Sequence, residues 1–359
     1  LDMRSVLSRI NGIAYGFDLN ILQPLYTFGK IESATKAAKA GVRVAEAQVD
    51  AAKQDVVYNA MRAYWGLKTG RAVRELLDEG TTKLKEWIDR IAEEMDGANK
   101  GGYTEADLAR MKAALDSAAL IRVDVQRNLT IAEVGMRVLT GDGEADIDES
   151  ELRITEVAKE PLSYYIETAH GNRPESKMLN ESVTAAHYLK NWKIGEMLPN
   201  FGLRVTSNYR GFAVSGDGAS SLTQFLPANG IPVPMLVLNL PLDFGVRGAR
   251  LQQAAAEERA AIERRRYAMG GIDVDVATAY ANYDEARTRE AKLAHAEKVS
   301  RGWYGIVDRN MAQGLTVSTD ARELTDAART YFDFRIRHLQ AIMDTNIALA
   351  WLKRTTGIK

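Results

Sequence analysis

The chain repeats one order of signals twice, and that repetition limits what it can fold into more than anything else in it. Pro24, Leu25, Phe28 and Gly29 open one half, and Pro241, Leu242, Phe244 and Gly245 open the other. Each group ends a β-like stretch that runs directly into a very long Ala-rich helical pattern. Phe28 to Tyr64 and Phe244 to Tyr280 are both 36 positions, and Ala63-Tyr64 matches Ala279-Tyr280. Each helical pattern breaks at a glycine, Gly102 or Gly314. A second pattern then returns, closing at Leu139-Thr140-Gly141 or at Leu352 with Gly357 just beyond. A strand, a long helix out, a turn and a helix back, repeated, make a duplicated hairpin that cannot bury its own faces. Such a chain is expected to assemble with copies of itself.

The helices carry the same message. Val42, Ala45, Val49, Ala52, Val56, Asn59 and Ala63 step by threes and fours, the a/d spacing of a coiled-coil seam built from small residues. The return arms keep this rhythm, from Leu108 through Met111 and Leu129 to Leu139, and from Leu324 through Ala328, Tyr331, Arg335 and His338 to Leu352. Val44, Val57, Met61 and Trp65 fall outside the seam and imply neighbours on two sides. Nothing from Lys30 to about Met95 forbids helix except isolated glycines, so this arm could extend ~100 Å at 1.5 Å per residue. Helices packed on two sides form sheets of helices that can close into a tube. Taken alone, the same helices also fit a soluble two-stranded spacer.

Lys plus Arg (47) balance Asp plus Glu (48), which gives no support for nucleic-acid binding. Cysteine is absent, so disulfides, thiolate metal sites and cysteine nucleophiles are excluded. No run of 18 apolar residues exists, so no transmembrane helix is expected, but a β-barrel spans a membrane without one. The strands are therefore the deciding signal. Phe201, Leu203, Val205 and Tyr209 alternate with Arg204, Thr206, Asn208 and Arg210, the apolar-out, polar-in period of a membrane barrel strand. Leu236, Leu238, Leu240 and Leu242 make one face of Pro232 to Gly245, and Phe17, Leu19 and Ile21 one face of Gly16 to Phe28. We assign Phe201, Leu203, Val205, Leu236, Leu238 and Leu240 to lipid. Three strands cannot close a barrel, and an open edge in hydrocarbon costs several kcal/mol per unpaired group, so closure must come from other protomers.

With this duplicated order, the chain resembles the TolC-like outer-membrane efflux protein family. The likeness is carried by Gln23-Pro24-Leu25-Tyr26-Thr27-Phe28-Gly29, Leu240-Pro241-Leu242-Asp243-Phe244-Gly245, Arg173-Pro174-Glu175 leading a helix into Leu198-Pro199-Asn200-Phe201, and Gly314-Leu315-Thr316-Val317-Ser318-Thr319-Asp320. The resemblance implies a mainly α fold with membrane β strands, the hairpin repeats forming a trimeric helical tunnel beneath an outer-membrane barrel. It divides the chain into a partial first-repeat strand and loop (1–29), a first hairpin (30–141), an equatorial segment and helix (142–200), a barrel β-hairpin (201–246) and a second hairpin (247–359). By symmetry the first half calls for a helix and a strand ahead of Leu1, and Leu1 to Asn11 reads as the remnant of an extracellular loop. The implied function is the exit duct of a tripartite efflux or type I secretion system, in the outer membrane and reaching into the periplasm. Its implied partners are two further copies, a periplasmic adaptor, an inner-membrane pump and outer-membrane lipid. The competing reading is a soluble coiled-coil periplasmic adaptor or structural spacer. Against it, nothing in the chain matches the lipoyl-like and barrel domains that adaptors carry.

No catalytic constellation, metal set or cofactor motif is found, and the four histidines are scattered. The acidic run from Asp142 to Glu149 fails a calcium-loop pattern, because Ile147 replaces the turn glycine and Arg153 stands where the bidentate Glu should be. It reads as a solvated connector. Function is expected at the far ends of the hairpins. Thr104-Glu-Ala-Asp107 has capping-box form, and Asp107, Asp320 and Glu323 all complement a helix N-terminus. The resemblance puts Asp320 and Glu323 in the narrow end of the tunnel, where a trimer would stack two carboxylate rings. Arg309 and Arg322 are candidate latches through Asp107 or Asp320. Gly102, Tyr103, Gly314, Leu315 and Thr316 are the tips expected to meet an adaptor.

Overall fold

A computed structural model describes residues 11–96, 103–148, 151–158, 160–215, 231–313 and 321–358. In order they form β1 (Asn11–Tyr26), α1 (Lys30–Asp96), α2 (Glu105–Thr140), α3 (Leu162–Asn172), α4 (Pro174–Glu196), β2 (Asn200–Ser215), β3 (Val233–Asn239), α5 (Phe244–Ala312) and α6 (Ala321–Thr356). The duplicated strand and helical hairpin are both present, with outgoing helices of 67 and 69 residues. The element the sequence did not reveal is α3, an 11-residue helix inside the expected equatorial segment. Leu1 to Ile10, Gly102, Gly314, Leu315, Thr316 and Asp320 lie outside the described residues.

The chain forms two compact units. One holds residues up to Ala45 together with Leu179–Arg266, and the other holds Glu46–Met178 with Tyr267–Lys359. The first contains the antiparallel sheet, in the order β1-β2-β3. Its register opposes Phe17 to Tyr209, Ile21 to Val205, Phe201 to Leu238 and Leu203 to Leu236. Directly opposed residues share a face, so the apolar sets of all three strands lie on one face of the sheet. On the other face Asp18 opposes Asn208, Asn20 opposes Thr206, and Arg204 lies between Leu22 and Met235. β3 ends at Asn239, short of the expected strand, so Leu240 lies one residue beyond it.

The two strand-to-helix junctions differ despite their matching sequences. In the first, Phe28 and Gly29 adopt positive φ (51° and 79°), whereas neither Phe244 nor Gly245 does. A non-glycine residue in that region costs about 1–3 kcal/mol. Phe28 is held there by ring contacts with Tyr26, edge-on at 4.6 Å, and with Phe201 at 6.3 Å. The register shift between Pro24 and Tyr26 precedes this turn. In the second half the chain enters α5 at Phe244 itself, three residues ahead of the expected start of the hairpin. Charged contacts then tie the helices of this unit together. Arg43 pairs with Glu181 at 2.7 Å, while Glu258 accepts from Lys190 at 2.5 Å and lies 2.7 Å from His187.

In the second unit the helices pack through seams. Ile272, Val276, Ala279, Tyr283 and Ala286 of α5 are buried, as are Leu324, Ala328, Ile342, Leu349 and Leu352 of α6. The α6 line follows the expected spacing, and the α5 line steps by the same threes and fours. The start of α1 does not. Val42, Val49 and Val56 are each roughly half exposed, and the chain instead buries Ala37, Ala40 and Ala47. The small face of α1 packs within the chain and the valine face is left outside. Close approach recurs in the second unit, where a Cβ on Gly70 would stand 2.7 Å from the Leu129 side chain. Arg173 separates α3 from α4 with extended backbone (φ −64°, ψ 128°), as the residue before a proline prefers, and Pro174 occupies the first helical position.

Candidate functional site

At the hairpin ends α1, α2, α5 and α6 converge on one apolar cluster. Trp87 and Ile91 of α1, Met111 of α2, Val307 and Met311 of α5 and Leu324 of α6 are buried together, with Tyr103 and Leu108 packed against them. These residues sit at seam spacing, so the last turns of both hairpins share one core next to their connecting turns. The sequence pattern located the turns but not this shared core, because its members come from four distant segments. Tyr304 and Tyr331 extend it as a parallel stack at 5.2 Å, with Trp87 and Phe332 edge-on to Tyr304. Burial, reinforced by the Asp308 carboxylate, pushes the Tyr304 phenol up, so it stays protonated throughout the physiological range.

Asp107 is fixed by local sequence. Thr104 caps α2 with a reciprocal box: its N–H donates to Asp107 Oδ2 at 3.0 Å, and its hydroxyl accepts from the Asp107 N–H at 3.3 Å. The same hydroxyl donates to Oδ2 at 2.7 Å. The hydroxyl and N–H of Thr104 hold the Asp107 carboxyl below the usual range against an opposing effect of burial, and the Arg110 and Arg322 charges add more weakly to the lowering. Arg110 Nη1 lies 3.5 Å from Asp107 Oδ1. Arg322, in the first turn of α6, therefore acts electrostatically on the acid that caps α2. Glu323 occupies the same first turn and is exposed. Arg309 forms no ion pair among the described residues, and Tyr103 packs on the apolar cluster.

The acidic connector is solvated as expected, with Asp146 and Asp148 more than half exposed, and it is also strapped to α1. Asp148 accepts from Tyr64 at 2.5 Å and from Lys68 at 3.1 Å, and Asp146 pairs with Arg71. Ile147 between them is buried against Leu67, Leu129 and Met136. Spent on basic side chains of α1, these carboxylates do not converge. Among the described residues no group of His, Asp and Glu is placed to hold a metal ion. No described helix is long and apolar enough to cross a membrane.

The sheet is the second site. Phe17, Phe201, Leu236 and Leu238 are large apolar side chains on one face, and Leu236 is 82% exposed. Within one protomer nothing covers this face among the described residues.

The sequence pattern of the family described as outer membrane efflux protein matches residues 3–142 and 234–358, more than half of the chain. No curated protein matches. The fold is similar to that of the Neisseria gonorrhoeae MtrE outer membrane channel in its open state (18% identity, TM-score 0.77, covering 99% of this chain and 82% of that one). It is also similar to the outer membrane protein VceC from Vibrio cholerae (14%, 0.76, 99% and 90%). A third similar structure is a membrane protein from Pseudomonas aeruginosa (18%, 0.77, 99% and 86%). At such identities the shared property is the fold.

Proposed function

This chain belongs to the outer membrane efflux protein family and is an outer-membrane efflux duct, and from that premise we propose that it works as a homotrimer gated at the ends of its helical hairpins. The observation that carries the reading is the largely apolar face running across β1, β2 and β3, interrupted at Gln23 and Ser207, in a sheet with both edges unpaired among the described residues. Hydrocarbon tolerates such a face and does not tolerate such edges, so copies of the chain close the barrel. The duct is passive and runs no reaction of its own. A periplasmic adaptor meets the hairpin tips around Gly102, Tyr103, Gly314, Leu315 and Thr316, and an inner-membrane pump supplies the driving force.

The gate reading rests on the tip. Asp320 and Glu323 are three positions apart, the spacing at which residues share a helix face. In a threefold assembly they stack as two carboxylate rings that favour cations. Arg322, whose charge is felt at Asp107, is the latch between the hairpins. The test is conductance of the reconstituted protein in planar bilayers. It is expected to be cation-selective and blocked by multivalent cations from the periplasmic side. Asp320→Asn with Glu323→Gln should abolish the block and change stability by about 1 kcal/mol or less, the size of a helix-dipole contribution. A double variant that keeps the block, or that unfolds, makes these acids caps and puts the gate elsewhere.

A further inference from the structure

The seam between α5 and α6 is interrupted by charge. Below Ala286 the buried line of α5 continues through Glu290 and Glu297, and the facing line of α6 carries Arg335 and His338 where its other members are mostly apolar. The side chains of Glu297, His338 and Glu290 are only 9%, 14% and 15% exposed. His338 Nδ1 bonds Glu297 Oε2 while its Nε2 lies 3.1 Å from Glu290 Oε1, and Arg335 Nη1 donates to Glu297 Oε1 at 2.8 Å. Among the described residues His338 makes no other ion pair. One turn away, Arg301 of α5 and Glu79 of α1 bear on Tyr331. Beside Leu339, α1 contributes the apolar Val73, Leu76 and Leu77.

A neutral imidazole has one N–H and one lone pair. With a carboxylate oxygen at each ring nitrogen, the neutral ring would turn its lone pair on one of them. The two bonds therefore require one proton beyond those of a neutral histidine and two carboxylates, whether it resides on the ring or on a glutamate. With that proton, two carboxylates face one guanidinium and one imidazolium and the charge cancels. Without it, a half-buried seam holds an unmatched negative charge, and one uncompensated charge in a buried network is strongly destabilising. We propose that Glu290, Glu297, Arg335 and His338 form a proton-operated clasp, which holds α6 on α5 while it keeps its proton and slackens as the pH rises. The sign follows from linkage: the closed form binds more protons than the open one, so closure weakens with increasing pH, by at most about tenfold per unit for one proton.

Amide hydrogen exchange of the intact detergent-solubilised protein between pH 5.5 and 8.5, corrected for intrinsic rates, tests this. The wild type should open between residues 286–300 and 331–342 more readily as pH rises, approaching about tenfold per unit, while the stretch of α2 between the buried Leu129 and Met136, which holds no histidine, keeps a constant protection. Glu290→Gln supplies an amide N–H that donates to an unprotonated Nε2. It should abolish the pH dependence and keep the segment protected. His338→Gln should also respond weakly to pH, with lower protection throughout. A flat wild-type profile overturns the proposal, as does an unchanged slope in Glu290→Gln. Loss of protection at every pH in Glu290→Gln also overturns it, since the carboxylate is then a plain strut.

Discussion

Single residues hold the turn between α3 and α4. Gly357 has φ +74°, and a Cβ there would lie 2.8 Å from the Asn172 carbonyl carbon and 2.9 Å from the Arg173 nitrogen. Gly141 has a similar φ of +70° with nothing within 4 Å. Gly141→Ala should therefore cost only the left-handed strain, about 1–2 kcal/mol, and Gly357→Ala distinctly more, read as a larger fall in Tm. Equal shifts would mean that the contact with Asn172 yields freely. Around the same turn, Asp55, Arg354, Glu175, Arg173 and Asp275 form a chain of ion pairs from α1 to α5, with the Arg354 contacts at 2.7 Å and the Arg173 contacts at 3.1 Å. Burial pushes the Glu175 carboxyl up, but the Arg354 bond, with the Arg173 charge, outweighs it and holds the carboxyl below its usual range. A carboxyl depressed in the fold contributes stability at neutral pH that is lost as the pH falls through that range. Glu175→Gln should accordingly be less stable than wild type at pH 7 and lose less on acidification to pH 4, measured by thermal unfolding at both values.

Elements divide into those whose periodicity announces their surroundings and those whose neighbours are remote. The strands announced theirs: alternation in β2 and β3 put Phe201, Leu203, Leu236 and Leu238 on one side, and the register opposes them in pairs. Leu238→Arg should cost about 2–4 kcal/mol of membrane stability if it sits at the bilayer midplane. Met235→Arg, on the other face, should be tolerated, and urea titration of the folded barrel in lipid distinguishes them. Reversed costs would turn the sheet inside out. The beginning of α1 misled by size. Valine scores as apolar and alanine barely does, so Val42, Val49 and Val56 drew the seam, yet the residues buried in the single chain are Ala37, Ala40 and Ala47. Helix α3 escaped because it carries Tyr164, Tyr165 and Gly171 rather than an Ala-rich repeat. The Thr104–Asp107 cap was legible because its partners are three positions apart. The clasp at His338 was not, since its glutamates lie 41 and 48 positions away.

At the scale of the molecule, much apolar surface remains outside. Val49, Val56, Val57 and Met61 of α1, and Leu120, Val123, Ile131 and Val138 of α2, are exposed in the single chain. Large exposed apolar surface of this kind, where it is contiguous, marks contact with another protein. Val49→Asp combined with Val56→Asp should leave the hairpin folded by circular dichroism and prevent assembly in light scattering, because those side chains lie outside the buried clusters of the single chain. Retained assembly would move the contact to another face.

The unpaired edges of the β1-β2-β3 sheet have a genetic consequence. In the trimer we propose, a barrel completed by three chains gives no protomer a function of its own, so an altered copy that still pairs its strands becomes part of the shared wall. In a cell making equal amounts of normal and gate-defective chains, random mixing leaves only about one trimer in eight wholly normal. Alleles that damage the tip while sparing the sheet should behave as dominant, whereas alleles that break the sheet should be recessive.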